Sequence, residues 1–423
     1  MPPAAPGEPS PRRALPDYDG RGEPPSSAGD GALWVPRVIF SPAYLVSEFL
    51  IRRPLGALIT AAERGQWQVA LFNFFASEDH RYGVVPTALV DFGLKPSVGL
   101  YAFYDDAFVK GNDLRAHFGF WGPEWISVGL ADRVKLTPGS TVAFSGSVAK
   151  RPDRLFYGLG ARSQSANRSR FDSTTVDLAA EADVALRGWS RFRARSGFRG
   201  VSFGPETCCD DPSVAQRFST LPPGMATGYG VVYQELELVL DGRRKRPAPQ
   251  HGVRVDLSGT HAVDLGNHAA REFVNYGGTA AGYLDLGRAR VVALKLTARF
   301  ADPISRGEVP FTEQVILGGS GAMRGYLFGR LTGRSAAVAE LEYRWPIWVW
   351  LDGTMHVALG NVFDAHLKDF ETKLLRLSSG IGIRTVGSPD HMFEFLTGFG
   401  TETIEDGLRV SSFRLVIGGT RGF

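Results

Sequence analysis

The feature that most constrains the fold of this chain is an alternation of apolar and polar residues with a period of two, which recurs throughout residues 83–423. In one such segment, Leu341 lies between Glu340 and Glu342. Successive side chains of a β-strand point to opposite faces, so the pattern predicts strands with one apolar and one polar face. A soluble sandwich turns the apolar face inward and a transmembrane barrel turns it outward, so the alternation alone fits both folds.

The lengths of the connections between the predicted strands favour the barrel. The sequence predicts sixteen strands, near residues 83–93, 97–109, 112–121, 124–135, 139–150, 171–187, 190–203, 227–241, 251–263, 271–286, 290–301, 335–346, 353–362, 373–387, 390–400 and 410–423. The long connections, 151–170, 204–226 and 302–334, follow odd-numbered strands, whereas most connections after even-numbered strands are short. An even strand number and long loops at one end are typical of single-chain bacterial barrels. We therefore predict an all-β fold, a transmembrane antiparallel β-barrel of sixteen strands with a short N-terminal helical segment.

Composition agrees with this fold and excludes several others. The 51 glycines and 28 phenylalanines suit strands that bend and meet lipid, and they suit long helices poorly. The net charge of +3 is dispersed, which excludes a basic nucleic-acid surface, and no apolar run approaches the roughly 20 residues of a spanning helix. The adjacent Cys208 and Cys209 are interpreted as loop residues rather than a redox or metal site, because a vicinal pair bridges only with strain.

The chain divides into three predicted segments. Residues 1–32 form a disordered tail, because their Pro/Gly-rich composition offers almost no apolar anchors. Residues 33–80 form a short amphipathic helical segment that is periplasmic, packed under the barrel, or a plug in its mouth. Residues 83–423 form the barrel. Met1 leads directly into a polar segment without a secretory signal, which argues against an exported protein unless a signal was removed.

The most specific motif lies between the eleventh and twelfth predicted strands. Residues 316–326 read Ile-Leu-Gly-Gly-Ser-Gly-Ala-Met-Arg-Gly-Tyr. The glycines superficially fit a phosphate-binding loop, but no Lys-Ser/Thr pair follows them. A surface loop that needs glycine only for its turns is the simpler alternative. The stretch resembles the signature of the sixth extracellular loop in BamA/TamA superfamily outer-membrane proteins, whose core tetrapeptide is here Met323, Arg324, Gly325 and Tyr326.

The resemblance implies a role for the arginine of this motif. In that superfamily the loop folds into the barrel lumen, which here implies a folded-in loop 302–334, and its arginine pairs with acidic residues of the wall. A guanidinium withdrawn from water needs carboxylate partners to offset several kcal/mol of desolvation. Glu342 is the closest match to the family's acidic partner. A second family acid, in a Phe-x-Asp-x-Gly pattern, is replaced by His-Val-Ala-Leu-Gly at 356–360, which leaves Glu340 as the candidate second partner.

Three shorter matches follow in the family order. Residues 155–160, Leu-Phe-Tyr-Gly-Leu-Gly, resemble a Phe-Tyr-Gly-x-Gly element of family members without large periplasmic domains. Residues 241–252 resemble the turn between the eighth and ninth strands. The terminal Phe423 resembles the last residue of barrels that the assembly machinery reads. The resemblance extends over residues 83–423, and no periplasmic POTRA domain fits comfortably before them.

The resemblance implies a barrel that assists insertion or translocation of proteins at the bacterial outer membrane. In the family, the seam between the first and last strands is weakly paired and opens sideways, so that a client strand can add to the exposed edge. Pro86, which removes one backbone donor from the first strand, and Phe423 mark the candidate seam here. The implied partners are outer-membrane lipid and either unfolded barrel proteins or a periplasmic or lipoprotein partner, with no nucleic acid.

Two other functions remain open. A non-insertase pore, or a membrane anchor for a partner protein, would keep the barrel and lose the assembly role, and the lack of room for a POTRA domain favours it. A soluble extracellular β-sandwich is the other alternative. We predict no enzyme, no cofactor and no metal, because the eight histidines lack ligand spacing and no Gly-x-Ser-x-Gly elbow occurs.

Overall fold

The computed structural model describes residues 73–122, 125–204, 208–243, 251–266, 271–287, 289–348, 351–385 and 392–420, together with isolated positions between residues 31 and 70. The main element is a closed antiparallel barrel. The strands are β1 (Tyr82–Asp91), β2 (Ser97–Asp105), β3 (Asn112–Gly122), β4 (Trp125–Thr137), β5 (Ser140–Phe156), β6 (Ser169–Ala185), β7 (Arg191–Gly204), β8 (Tyr229–Asp241), β9 (Gly252–Asp264), β10 (Glu272–Asp285), β11 (Val291–Pro303), β12 (Val315–Leu317), β13 (Leu331–Gly333), β14 (Ser335–Trp348), β15 (Leu351–Phe363), β16 (Arg376–Thr385), β17 (Met392–Thr403) and β18 (Val410–Thr420). Strands β12 and β13 pair with each other, and the other sixteen close the barrel in sequence order, with β1 beside β18. The predicted fold class is confirmed.

The sixteen predicted strands are all present, and their ends differ by a few residues. The largest extension is in β5, which continues to Phe156 past an irregularity between Arg151 and Arg154. Strand β16 begins at Arg376 rather than at residue 373, because residues 372–374 form a 3-10 turn. The sequence pattern does not predict β12 and β13, since three residues are too few to show an alternation.

The apolar side chains of the alternating pattern point away from the barrel interior. In β14, Leu341 is 53% exposed, whereas Glu340 and Glu342 are 6% and 1% exposed. Comparable exposed aliphatic residues on other strands are Leu130, Leu178, Leu236, Leu257, Leu284, Leu294, Leu296 and Ile381. Each leucine left in water forgoes roughly 1.5–3 kcal/mol of burial, so a belt of them is stable only against hydrocarbon.

The longest connections all lie at one end of the barrel, and the connections at the other end are mostly short. The end with long loops, called the long-loop end, holds the connections 157–168, 205–228, 304–334 and 364–375. The opposite, short-turn end holds the connections 138–139, 186–190, 286–290 and 349–350. The predicted segregation of loop length is therefore observed.

The long loops pack against one another inside their end of the barrel. Phe311, from the connection 304–334, lies 5.3 Å from Phe156 and 5.1 Å from Phe171 between ring centroids. It belongs to the same buried apolar cluster as Val214 of the short helix α1 (Val214–Arg217), which Ser213 and Gln216 cap reciprocally. Short 3-10 helices in other long loops are Ser165–Asn167, Ala365–Leu367 and Thr372–Leu374.

Several N-terminal and terminal predictions lie outside the described residues. The described positions 54, 56–58 and 61 have helical backbone, but the boundaries 1–32 and 33–80 stay predictions. Phe423 also lies outside the described residues. Within the described part of the chain, every helix is too short or too polar to cross a membrane. Cys208 and Cys209, in the connection between β7 and β8, are joined by a disulfide bond, which the sequence reasoning did not predict.

Candidate functional site

The connection between β11 and β14, called the lumen loop (304–334), lies against the inner wall of the barrel. Its strands β12 and β13 form a short hairpin that carries the predicted motif at its tip. Met323 has a φ of +64°, and its carbonyl accepts a hydrogen bond of 3.1 Å from the amide of Tyr326. A non-glycine residue in this left-handed region costs about 1–3 kcal/mol and persists only where its surroundings impose it. Met323 is fully buried among apolar residues that impose it, including Leu317, Leu331, Val338 and Val362.

Gly325 and Tyr326 fit onto the inner wall formed by β16 and β17. A Cβ atom on Gly325 would lie 2.0 Å from the carbonyl oxygen of Phe399, so only glycine permits this approach. The amide of Gly325 donates to Oγ of Ser378 at 2.8 Å. The ring of Tyr326 covers Gly400, where an added Cβ would lie 2.4 Å from the ring. The motif therefore has glycine at position 325 because its backbone lies directly against the wall, and the wall has glycine at position 400 because the Tyr326 ring lies over it.

The hydroxyl of Tyr326 fixes the loop to the long-loop end of β17. It accepts from the amide of Thr401 at 2.7 Å and donates to the carbonyl of Thr401 at 2.6 Å. The carbonyl of Leu377 lies 3.0 Å away. Burial raises the pKa of Tyr326 above its ordinary value, so the hydroxyl remains protonated and able to donate.

The guanidinium of Arg324 contacts both carboxylates that the sequence analysis singled out. Its Nη2 lies 3.0 Å from Oε2 of Glu342 and 3.4 Å from Oε1 of Glu340. All three residues are buried, so the two carboxylates offset a desolvation cost of several kcal/mol. Ala358 occupies the acid position of the family pattern, and Glu340 is the second carboxylate that the structure brings to Arg324.

Three further cations contact Glu342, and the sequence analysis did not identify them. Nζ of Lys295 lies 2.7 Å, Nε of Arg344 3.3 Å and Nη2 of Arg384 3.6 Å from the Glu342 carboxylate. Lys295 could have been found from the strand register, because it pairs directly with Glu340 between β11 and β14. Arg384 lies two strands away on β16, so no local sequence pattern predicts its contact with Glu342.

A second buried ion pair fixes the lumen loop near the long-loop end. Nη2 of Arg330 lies 3.1 Å from Oε2 of Glu402 and donates to the carbonyl of Ser163 at 3.2 Å. The guanidinium also lies 4.9 Å from the ring centroid of Tyr157, within cation–π distance. Tyr157 belongs to the Phe-Tyr-Gly-x-Gly element, so that element forms part of the binding surface for the lumen loop.

The first and last barrel strands meet behind this loop in a short ladder, called the seam. The paired residues are Leu89 with Gly418, Val90 with Ile417 and Asp91 with Val416. Every other pair of neighbouring barrel strands has at least eight register pairs in the described residues, the shortest being those of β1–β2, β2–β3 and β16–β17.

Pro86 lies in the part of β1 that the described residues of β18 do not pair. Even-numbered residues of β1 direct their backbone groups away from β2: the carbonyl of Tyr82 accepts from Ser77, and the amide of Phe92 donates to Leu415. Pro86 has the same parity, so the position of its missing N–H faces the seam rather than β2.

The lumen loop and the last barrel strand lie in a part of the sequence that matches a known family. A model of the Omp85 superfamily domain matches residues 234–420, which include the motif, both carboxylates and all of β18. This C-terminal part of the chain is similar to the Omp85 superfamily domain. The expected resemblance to the BamA/TamA superfamily is confirmed, and the barrel is an outer-membrane protein. No curated protein matches the chain.

Solved structures with the same architecture include BamA and CdiB barrels. BamA from Haemophilus ducreyi lacking POTRA domains 1–3 has a TM-score of 0.58 and 14% identity, covering 80% of this chain and 70% of that one. CdiB from Acinetobacter baumannii has a TM-score of 0.50 and 11% identity, covering 80% and 59%. CdiB from Escherichia coli has a TM-score of 0.51 and 11% identity, covering 79% and 62%. These similarities establish the shared fold, and the chain described here spans about three-fifths of each CdiB chain.

Proposed function

We propose that this barrel assists the insertion or translocation of proteins at the outer membrane, through the seam between β1 and β18. The observation that carries the proposal is the short ladder of three pairs at this seam among the described residues, against eight or more between every other pair of neighbouring strands. Fewer paired residues mean fewer interstrand hydrogen bonds to break, so the wall opens at the seam at the lowest cost.

The edge of β1 next to the seam supports strand addition. Residues 82–88 of β1 have no partner on the described part of β18, while Gly83 pairs with Ala76 of the preceding segment. An edge strand presents backbone N–H and C=O groups on which an extended client segment can pair. Pro86 interrupts this edge at one donor, which limits uncontrolled pairing along its length.

The proposed partners follow from the surfaces of the barrel. Outer-membrane lipid covers the belt of exposed aliphatic side chains. The proposed protein partners are unfolded barrel proteins at the seam, or else a periplasmic or lipoprotein partner. That the chain is not an enzyme and binds no cofactor stays a prediction.

A reversible lock of the seam tests the proposal. Val90 and Ile417 are register partners on the lipid side of β1 and β18, so Val90→Cys with Ile417→Cys can form a disulfide across the seam. We expect the oxidised variant to block folding of barrel clients in cells depleted of the wild-type protein, and reduction to restore it. The readout is the fraction of client barrels that reach the folded, protease-resistant form.

A matched lock elsewhere in the wall controls for the effect of a disulfide itself. Val98→Cys with Phe120→Cys joins β2 to β3 at another lipid-facing register pair, and it should leave client folding intact. If the seam lock also leaves client folding intact, the proposal is wrong. Ion conductance in planar bilayers without any effect on clients would then identify the pore alternative.

A further inference from the structure

An ion pair crosses the seam on its lumen side. Arg414 of β18 places Nη2 2.8 Å and Nε 3.1 Å from Oδ2 of Asp91 in β1, with Nε also 3.1 Å from Oδ1. The residues are separated by 323 positions, and Arg414 and Asp91 are 4% and 9% exposed. A buried guanidinium and carboxylate in this two-point geometry form a strong, direction-specific contact.

The same guanidinium is held by the lumen loop. Nη1 of Arg414 donates to the carbonyl of Gly319 at 2.6 Å and to the carbonyl of Arg324 at 3.2 Å. One lumen-facing position earlier on β18, Oγ of Ser412 donates to the carbonyl of Gly325 at 3.0 Å. Backbone carbonyls of the loop tip therefore accept hydrogen bonds from Arg414 of β18, while the side chain of Arg324 contacts Glu342 of β14.

We propose that Arg414 is a positioning residue that couples the lumen loop to the seam. Docking of the loop supplies the two carbonyls that orient the guanidinium toward Asp91, and the oriented guanidinium holds β1 against β18. Apart from Asp91 and Gly418, the residues paired in the β1–β18 ladder have aliphatic side chains: Leu89, Val90, Val416 and Ile417. Among the described residues, Arg414–Asp91 is therefore the polar side-chain contact at this ladder. The loop thus closes the seam through one side chain, and displacement of the loop loosens it.

This coupling is reciprocal by thermodynamic linkage. If loop docking strengthens the Arg414–Asp91 contact by a given factor, that contact strengthens loop docking by the same factor. Among the described residues, the side-chain partner of Asp91 is Arg414 rather than a residue of the loop. The Asp91 carboxylate is therefore linked to the carbonyls of Gly319 and Arg324 in the loop through the guanidinium of Arg414.

Hydrogen exchange of the full-length protein in detergent tests the coupling at both ends. In Asp91→Asn we expect amides of the seam segments 88–92 and 416–420 to exchange roughly tenfold faster or more, because a buried pair loses its charge. Amides of the loop tip, including those of Gly319 and Gly325, should accelerate by a similar factor. Asp256→Asn is the matched control, because Asp256 also pairs with an arginine, Arg254, on the lumen side of β9 but lies far from the seam in strand order.

A second variant keeps the test decisive where Asp91→Asn folds poorly. Arg414→Lys keeps a positive charge that can pair with Asp91. Its single ammonium group lacks the planar, forked donors with which the guanidinium binds two carbonyls and a carboxylate at once. We expect it to preserve most of the seam protection of the wild type and to accelerate exchange at the loop tip. Unchanged loop exchange in both variants, or an equal response in Asp256→Asn, would overturn the proposal.

The proposal deepens the proposed function, because it takes the seam as the client path, yet it fails or survives separately. If exchange rates at the seam and the loop change together but the seam lock does not affect client folding, the Arg414 coupling is supported and the insertion function is wrong. If the seam lock blocks client folding but exchange at the seam and at the loop changes independently, the insertion function is supported and the coupling is wrong.

Discussion

Gly325 is the residue at which the lumen loop and the barrel wall come closest. In Gly325→Ala the added methyl group would meet the backbone of Phe399 at 2.0 Å, and backbone cannot move aside as a side chain can. We expect the loop tip to lift from β16 and β17 and the barrel to lose about 1–3 kcal/mol of stability, the range of an overpacked core. Gly259→Ala in β9 is the control, since an added Cβ there has no atom within 4 Å. Thermal unfolding followed by gel mobility measures both variants, and equal midpoints would contradict this reading of the motif.

At the scale of the loop as an element, the cluster around Glu342 has more cations than carboxylates. Four cationic side chains, those of Lys295, Arg324, Arg344 and Arg384, lie within 4 Å of Glu342, and Glu340 is the neighbouring second anion. Arg324→Ala removes one positive charge from this excess, whereas Glu342→Gln removes the carboxylate that all four cations contact. We therefore expect Glu342→Gln to destabilise the barrel by about 3–5 kcal/mol, the cost of breaking a buried pair, and Arg324→Ala to cost clearly less. Urea unfolding in detergent compares them, and the reverse order would refute this charge balance. Glu237→Gln should be nearly neutral, because this carboxylate is 26% exposed and its one described arginine partner is Arg193.

The elements differ in how far the sequence predicts them. The barrel strands were predictable because alternation and connection length are local properties that each segment carries by itself. The contact of Arg324 with Glu342 followed from a family resemblance rather than from the pattern. The pairs Arg330–Glu402 and Arg414–Asp91 could not be predicted from the sequence. Their partners are 72 and 323 residues apart, and only closure of the barrel brings them together. The resemblance implied a seam, but the three pairs described there depend on the register of β1 against β18, which no local pattern specifies.

At the scale of the whole molecule, closure into a barrel decides which face of every strand meets lipid, and a pair of lysine substitutions tests that orientation. Leu296 of β11 is 54% exposed, so a water-soluble fold would accept Leu296→Lys without loss. On an outer-membrane barrel the lysine faces hydrocarbon and costs about 2–4 kcal/mol near the bilayer mid-plane. Ser147→Lys is the control, because Ser147 is exposed on the opposite, lumen side of β5 and pairs across the strands with Asp177. Refolding into lipid vesicles, with folded and boiled samples separated by gel mobility, should show a lower folded fraction for Leu296→Lys and a near wild-type fraction for Ser147→Lys. Equal folded fractions would mean that the exposed leucines meet water, and the outward-facing belt would then need another explanation.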